Sequence, residues 1–529
     1  MIKISSRFIF AALAAIVVLA SSCAKEIPVG QGSDPEIPAA EGSRVISVSF
    51  APQTKTALGE DGLTPEFVDG DEIFLCTNPK NQEEIKTENR TVSVNKEGKA
   101  TISTNLAGEL TAIYPAKGAE YFDKLERYDI GVPQIQSGRF ADANICKASV
   151  AADGGIAQFK NQFALFVITP PEGTQKLTIK SLPTIGDDGQ RSGSAKFVNN
   201  LASGDGMYYV TVETPPAEGK YYVALLNGAK LSDLSFEAEF ATDGTGSIKG
   251  IPMKAIEEAK AVNITASGTM YTINENNWHE YVTIGGKKWA TENIGATDSD
   301  PYGTYFMWGA VEKAYISLSD KTFTFGDKPS SYDNSTWNTE KGFVWDNCNF
   351  TDGVYIKDSN KAVFTKYTSN NTYAKSGKAD NKVVLDLTDD AAYVNWGGAW
   401  RMPTGGTDAT ADFTALANAC KTYTSGTLTY SGKVTEEPTS KGIYYYNVSG
   451  GKGVYLVADS NHKLFFPAVG GGRSDDNKLF NPDYHGNYWS STLCSSNQNA
   501  YIFRIEGELL NPQNNFSRCH GRTIRPVAD

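Results

Sequence analysis

Apolar and polar positions alternate with a period of two through much of the first half of the chain. In LSFEAEF, Leu234, Phe236, Ala238 and Phe240 fall on one side and Ser235, Glu237 and Glu239 on the other, the pattern of a half-buried strand. RTVSVNKEGKATIST sets two alternating runs about a Lys-Glu-Gly turn and predicts a hairpin. FALFVIT, KLTIKS, MYYVTVE and KYYVALL continue the series, with Gly, Pro and Asp between them. Many short strands with one apolar face predict a β-sandwich or two in tandem, with a barrel as the alternative closure. A helical period appears in the second half. Phe413, Leu416, Ala417 and Cys420 fall at i, i+3, i+4 and i+7, and Asp408 or Thr410 is placed to cap that helix.

The other apolar feature is the run from Phe8 to Ala20, too short to span a bilayer. Lys3 and Arg7 precede it and small residues lead from it to Cys23, the layout of a secretory signal. It resembles a bacterial lipoprotein signal, with Ala20 where that pattern prefers Leu. The resemblance implies cleavage before Cys23 and acylation of its thiol, palmitate included, which would anchor the chain without a transmembrane helix. CAKE is similar to tags that carry lipoproteins of Bacteroides-type bacteria to the outer face of the outer membrane. Ala24 to Ser43, rich in Gly, Pro, Glu and Ala, reads as a flexible tether.

Composition divides the remainder. All eight tryptophans and all four histidines lie after residue 277, so two core vocabularies meet near Ser267. The expected organisation is a signal at 1–22, a lipidated tether at 23–44, sandwiches at 45–158 and 159–267, and a distinct domain at 268–529. With 61 acidic against 49 basic residues, the net charge of −12 argues against nucleic acid as a partner. The acids are scattered, which also suits a merely well-hydrated surface. Six cysteines follow Cys23 with no C-x-x-C pair, and histidines are few, so a zinc site is not expected. Export permits disulfides, and Cys494 with Cys519 is the expected pair because both fall in one block of neighbouring strands.

TKTALGEDGLTPEFVDGDEIFLCTN, from Thr54 to Asn78, resembles the opening of the fimbrillin-like proteins of Bacteroides-type bacteria. IGVPQIQSGRF followed by AQFKNQFALFVIT matches a second block of that family, a Pro-x-x-Q strand and a Phe-Lys strand. Phe67 and Val68 replace the family's usual tryptophan before Gly70-Asp71. The resemblance implies two β-sandwiches, assembly into surface pili, and proteolysis after a basic residue that opens a groove for a neighbour's strand. Arg44, in EGSRVISVSF, is where such a cut would fall; the alternative is that it simply ends the tether. The physics of such assembly is strand addition to an open sheet edge.

GGKKWATENIGA, WGGAWRMPT, GNYWSST and GRTIRPV follow in order and together resemble the Fibrobacter succinogenes major paralogous domain, a C-type-lectin-like module of α+β type. The fold class expected for the whole is therefore mainly β, two tandem fimbrillin-like β-sandwiches followed by an α+β C-type-lectin-like domain. Pro403 fixes its own φ and pushes Met402 towards extended backbone, so WRMPT reads as a strand-to-helix corner. Trp396, Trp400 and Trp489 would each bury about 150–250 Å². Arg401 has donors for backbone carbonyls. These residues read as a fastening, with direct ligand contact as the alternative.

The same corner occurs in formylglycine-generating enzymes, which use two close cysteines; Cys494 and Cys519 stand too far apart in sequence for that pattern. No G-x-S-x-G elbow, H-E-x-x-H pair or phosphate loop is present. Adjacent acids, Asp389 with Asp390 and Asp475 with Asp476, read as solvated rather than catalytic. NPD, Asn481 to Asp483, echoes a calcium lectin tripeptide, but Ser490 and Ser491 follow Trp489 where ligands would stand, and calcium wants six or more oxygens. No metal, cofactor or catalytic residue is expected. Arg473, Asp475, Asp476, Tyr484, His485 and Asn487 form the candidate ligand loop for a glycan or surface protein, with a polar connector as the plainer reading. The expected function is a non-enzymatic exported adhesin or fimbrial tip subunit that accepts a donor strand. The alternative is an anchored glycan-binding lipoprotein of the outer membrane that does not polymerise.

Overall fold

In the computed structural model, strand outweighs helix by 48% to 9% among the described residues, so the fold is mainly β, as the alternating pattern predicts. The structure describes residues 43–529 apart from 51–65, 78–84, 123–126, 162, 183, 186–190, 193–208, 217–218, 227–233, 253–261, 264–268, 274–277, 299, 313, 317–322, 326–342, 344, 352–354, 357–360, 424, 449–450 and 473–478. The signal, Cys23, the tether and the Thr54-Lys55-Thr56 segment lie outside the described residues.

The first sandwich uses β1 (Arg44–Phe50), β2 (Glu72–Thr77), β3 (Thr87–Thr91), β4 (Ser93–Val94), β5 (Ala100–Thr104) and β6 (Leu110–Tyr114). After β7 (Ile135–Gln136), which serves the next sandwich, β8 (Cys146–Val150) and β9 (Ile156–Asn161) complete it. Its sheet runs β3-β2-β6-β8-β9-β1-β5-β4, and Glu88 on β3 bonds Thr104 on β5, so the curled sheet brings its two margins together. Ile46, Val48, Ile73, Leu75, Ile102 and Phe159 fill the interior. Phe67 takes the inward place, its ring stacked 4.3 Å from Phe50, while Val68 points out. The predicted hairpin forms in its second part, β4 on β5, with Gly98 at φ +78° in the turn. The residues before it pair with β2 instead.

The second sandwich comprises β10 (Phe163–Ile168), β11 (Lys176–Ser181), β12 (Tyr209–Val212), β13 (Tyr221–Leu226), β14 (Leu234–Glu239), β15 (Thr245–Lys249), β16 (Val262–Asn263) and β17 (Thr269–Ile273). One sheet is β13-β10-β17-β16. All six residues of β10 are buried, as an unbroken apolar strand lined on both faces should be. The facing sheet orders β7-β12-β11-β14-β15 and then continues into β18 (His279–Ile284) and β19 (Lys287–Ala290). β15 and β18 pair directly, from Thr245↔Val282 to Ile248↔His279, so one sheet crosses from the tryptophan-free half into the tryptophan-rich half.

That crossing corrects the reading of LSFEAEF. Leu234, Phe236 and Ala238 are buried as expected, but Ser235 and Glu237 are buried too. The second face of β14 is covered: Glu237 takes Lys180 at 2.8 Å, the ammonium of Lys288, and the Tyr281 hydroxyl at 3.1 Å.

The last part of the chain carries α1 (Ala391–Trp396) and α2 (Asp412–Cys420), then β20 (Leu428–Thr429), β21 (Gly432–Val434), β22 (Gly442–Val448), β23 (Gly451–Val457) and β24 (Lys463–Pro467). β25 (His485–Leu493), β26 (Asn499–Glu506), β27 (Leu509–Ser517) and β28 (Val527–Ala528) follow. Two further sheets result, β20-β27-β26-β25 and β21-β22-β23-β24, while β28 returns to pair with β19. α2 buries Phe413, Leu416, Ala417 and Cys420, the face its period predicts. Its cap differs from expectation. Asp408 only turns its own loop, accepting from the Thr410 N–H at 2.8 Å, and the Asp412 N–H donates to Thr404 Oγ at 2.9 Å. No helix among the described residues is long and apolar enough to cross a membrane.

Candidate functional site

VNWGGAWRMPT lies against the seam between the two halves. Trp400 is wholly buried and donates its indole N–H to the Ile248 carbonyl of β15 at 3.3 Å. Trp396 stacks on His279 of β18, centroids 3.5 Å apart, and meets Trp400 edge-on at 5.4 Å. The double glycine between them touches backbone. Gly397 sits at φ +67°, and a Cβ there would come within 2.3 Å of the Ile251 carbonyl oxygen, so only glycine fits. Trp489, also wholly buried, donates to the Phe306 carbonyl at 2.8 Å in the same cluster. Pro403 ends the corner with its carbonyl accepting the Ser491 N–H at 2.8 Å.

Arg401 does more than the carbonyl role expected of it. One contact is to the Met402 carbonyl at 3.2 Å, but its guanidinium chiefly holds Asp412 at 2.6 Å and Asp529 at 2.9 Å. It thereby ties the strand-to-helix corner to the last residue. The expectation of a solvated Asp389–Asp390 pair is also corrected. Asp390 is buried, caps α1 through the Ala392 and Tyr393 N–H groups, and accepts the Met402 N–H at 2.8 Å. Burial pushes its carboxyl up to about 6 against those donors. Asp389 takes Lys366 and the Tyr367 hydroxyl, each at 2.5 Å. Both acids are structural because the chain folds back over them. Lys366 and Tyr367 reach Asp389 from more than twenty positions earlier and Met402 reaches Asp390 from twelve later, contacts that no local pattern reveals.

Of the candidate ligand loop, Arg473, Asp475 and Asp476 lie outside the described residues. Tyr484 is 52% exposed and Phe480 beside it 38%, so the turn presents aromatic surface. His485 and Asn487 do not belong to that surface. They open β25 and are buried, with Asn487 Nδ2 donating to the Gly470 carbonyl at 3.1 Å. Burial, then Arg504, lowers the basicity of His485, which favours its neutral form. Asn481-Pro482-Asp483 is a turn with Asn481 at φ +48° and Asp483 at φ +64°. Asp483 is occupied by the Tyr302 hydroxyl at 2.9 Å.

The cysteine expectation is corrected outright. Cys494 and Cys519 are free and buried, as are the other four described cysteines. They follow β25 and β27, and β26 runs between those strands, so the two do not end neighbouring strands. Burial pushes the Cys420 thiol up to about 12 and the Cys519 thiol to about 11, the opposite of an activated nucleophile. Among the described residues, no group of three or more His, Cys, Asp and Glu side chains is arranged to hold a metal ion.

No family model matches the chain, and no curated protein matches it. Among solved structures, one from Bacteroides uniformis ATCC 8492, described as a candidate cell adhesion protein, is 12% identical; the match covers 46% of this chain and 96% of that one, with a TM-score of 0.25. One from Bacteroides fragilis NCTC 9343, described likewise, is 13% identical over 55% of this chain and 96% of that one, TM-score 0.24. A third, from Bacteroides thetaiotaomicron VPI-5482, is 15% identical over 44% and 92%, TM-score 0.22.

Proposed function

We propose that this chain is an exported, lipid-anchored adhesion protein whose two sandwiches carry a C-type-lectin-like recognition half, and that it stands at the end of a fimbrial assembly. The observation that carries this reading is the fate of the chain after β17. The next described strand is β18, which pairs with β15 inside the same molecule. The segment that a polymerising subunit would give to its neighbour is thus committed to internal pairing, and a subunit that gives no strand terminates growth. Description of the similar solved structures as candidate cell adhesion proteins agrees with the adhesive role. Purified protein cut at Arg44 and mixed with stalk subunits tests the placement: capped chains are expected, and growth beyond this protein overturns it.

One observation favours the rival, an anchored glycan-binding lipoprotein of the outer membrane that never polymerises. Arg44 is clamped by the carbonyls of Ala151, Ala152 and Gly108 at 3.1, 2.7 and 2.7 Å. A cut after it leaves Val45–Phe50 in mid-sheet between β9 and β5, with no groove opened there. Sequencing the mature N-terminus from cells separates the two: Val45 supports assembly, whereas lipidated Cys23 alone supports the anchored monomer.

A further inference from the structure

The sheet β21-β22-β23-β24 has a second aromatic face that neither the seam nor the turn at Tyr484 uses. Its inner side, Ile443, Tyr445, Val454, Leu456, Leu464 and Phe466, enters the core beneath α2. The strand alternation therefore turns Tyr444, Tyr446, Tyr455 and Phe465 outward, and all four are half-buried. Tyr455 lies 4.7 Å from Phe465, and Tyr446 meets both edge-on at 5.4 and 5.6 Å. Among the described residues the ring contacts of Tyr446, Tyr455 and Phe465 are with one another.

Glycines decide how these rings lie. A Cβ on Gly453 would come within 2.6 Å of the Phe465 ring, and one on Gly442 within 2.8 Å of the Tyr444 ring. Both rings thus pass close over bare backbone that any side chain at those positions would obstruct. The platform spans about 10 Å across three strands and about 7 Å along them, room for two or so sugar rings. Beside Tyr455, Lys463 and Glu437 pair at 2.5 Å, so the rim offers donors and acceptors with its charge already compensated. An outward-turned cluster of tyrosine and phenylalanine rings with a charge-balanced polar rim fits a ligand that has apolar C–H faces, many hydroxyls and no net charge.

We propose that this face binds a neutral polysaccharide, the Tyr444, Tyr455 and Phe465 rings stacking on its sugar rings while Lys463 and Glu437 take its hydroxyls. The inference rests on the adhesive reading above and supplies its ligand class. The test is electrophoresis of the full chain through gels containing soluble β-glucan, galactomannan or xylan, with polygalacturonate as the anionic control. Retardation by a neutral polysaccharide is expected, falling about tenfold or more in Tyr455→Ala and Tyr444→Ala and surviving in Tyr455→Phe, which keeps the ring and the fold. Absence of retardation by every neutral polymer, retardation by polygalacturonate alone, or full retention in the alanine variants overturns the proposal. Adhesion of whole cells that persists in Tyr455→Ala would remove this face as the ligand site while leaving the adhesive function standing.

Discussion

Gln136 holds Ala224 by two hydrogen bonds, its side-chain amide donating to the Ala224 carbonyl at 2.8 Å and accepting the Ala224 N–H at 2.9 Å. The backbone of Gln136 belongs to β7 in one sheet, and Ala224 lies on β13, the edge of the other. Gly138 takes the neighbouring Tyr222 N–H at 2.8 Å. The side chain thus occupies the place of an added strand and blunts an edge that would otherwise invite pairing. Gln136→Ala should destabilise the chain by about 1–3 kcal/mol in chemical denaturation. It should also make the protein associate with rising concentration on size exclusion. An unchanged midpoint with a purely monomeric profile would refute the role.

The seam predicts coupled unfolding. β15 and β18 share one sheet, and Gly397 touches the backbone of Ile251. Calorimetry of the wild type should show the second sandwich and the C-terminal half melting in one transition. In Gly397→Ala the added carbon must push those backbones apart, and that shared transition should split in two. If the variant still melts as the wild type does, the contact does not couple the halves.

Asp390 gives a pH signature. Burial raises its folded value to about 6, above the ordinary carboxylate 3.8, so ionisation disfavours the folded state. Its contribution is therefore largest below pH 4 and declines as pH rises to 6, then stays level. The difference in urea midpoint between wild type and Asp390→Asn, followed from pH 4 to 6.5, should shrink with increasing pH. A difference that widens would reverse the sign and remove the argument.

Arg401 predicts an acid limb. Although burial alone would raise it, Asp529 is held down to about 2 by Arg401 and Lys287. That stabilisation is present above about pH 4 and is lost as pH falls towards 2. Arg401→Met leaves the buried Asp412 carboxylate without its cation, held only by the Thr404 N–H and hydroxyl, and should cost about 3–5 kcal/mol at neutral pH. It should also flatten the loss between pH 4 and 2. Acid titrations of both proteins by circular dichroism check the two effects together.

With all six described cysteines buried and unpaired, the folded protein should resist alkylation and take up reagent only when denatured. Its intact mass should be the same before and after reduction. A loss of two mass units tied to Cys494 and Cys519 would restore the bridge that β26 separates.

Period-two alternation located strands such as β14 by their first apolar face, and the i, i+3, i+4, i+7 spacing fixed the buried face of α2, because each element must turn at least one side to a core wherever that core lies. The tryptophans of VNWGGAWRMPT likewise pointed to a fastening, with ligand contact as the alternative, because so large an apolar ring gains most from burial. What was fastened could not be read there. Only the tertiary structure joined β15 to β18 across the seam, buried Glu237 and Asp390, drew His485 and Asn487 off the surface, and set β26 between two cysteines. Burial of a polar side chain depends on what arrives from elsewhere in the chain, and local pattern records only the residue's own preference.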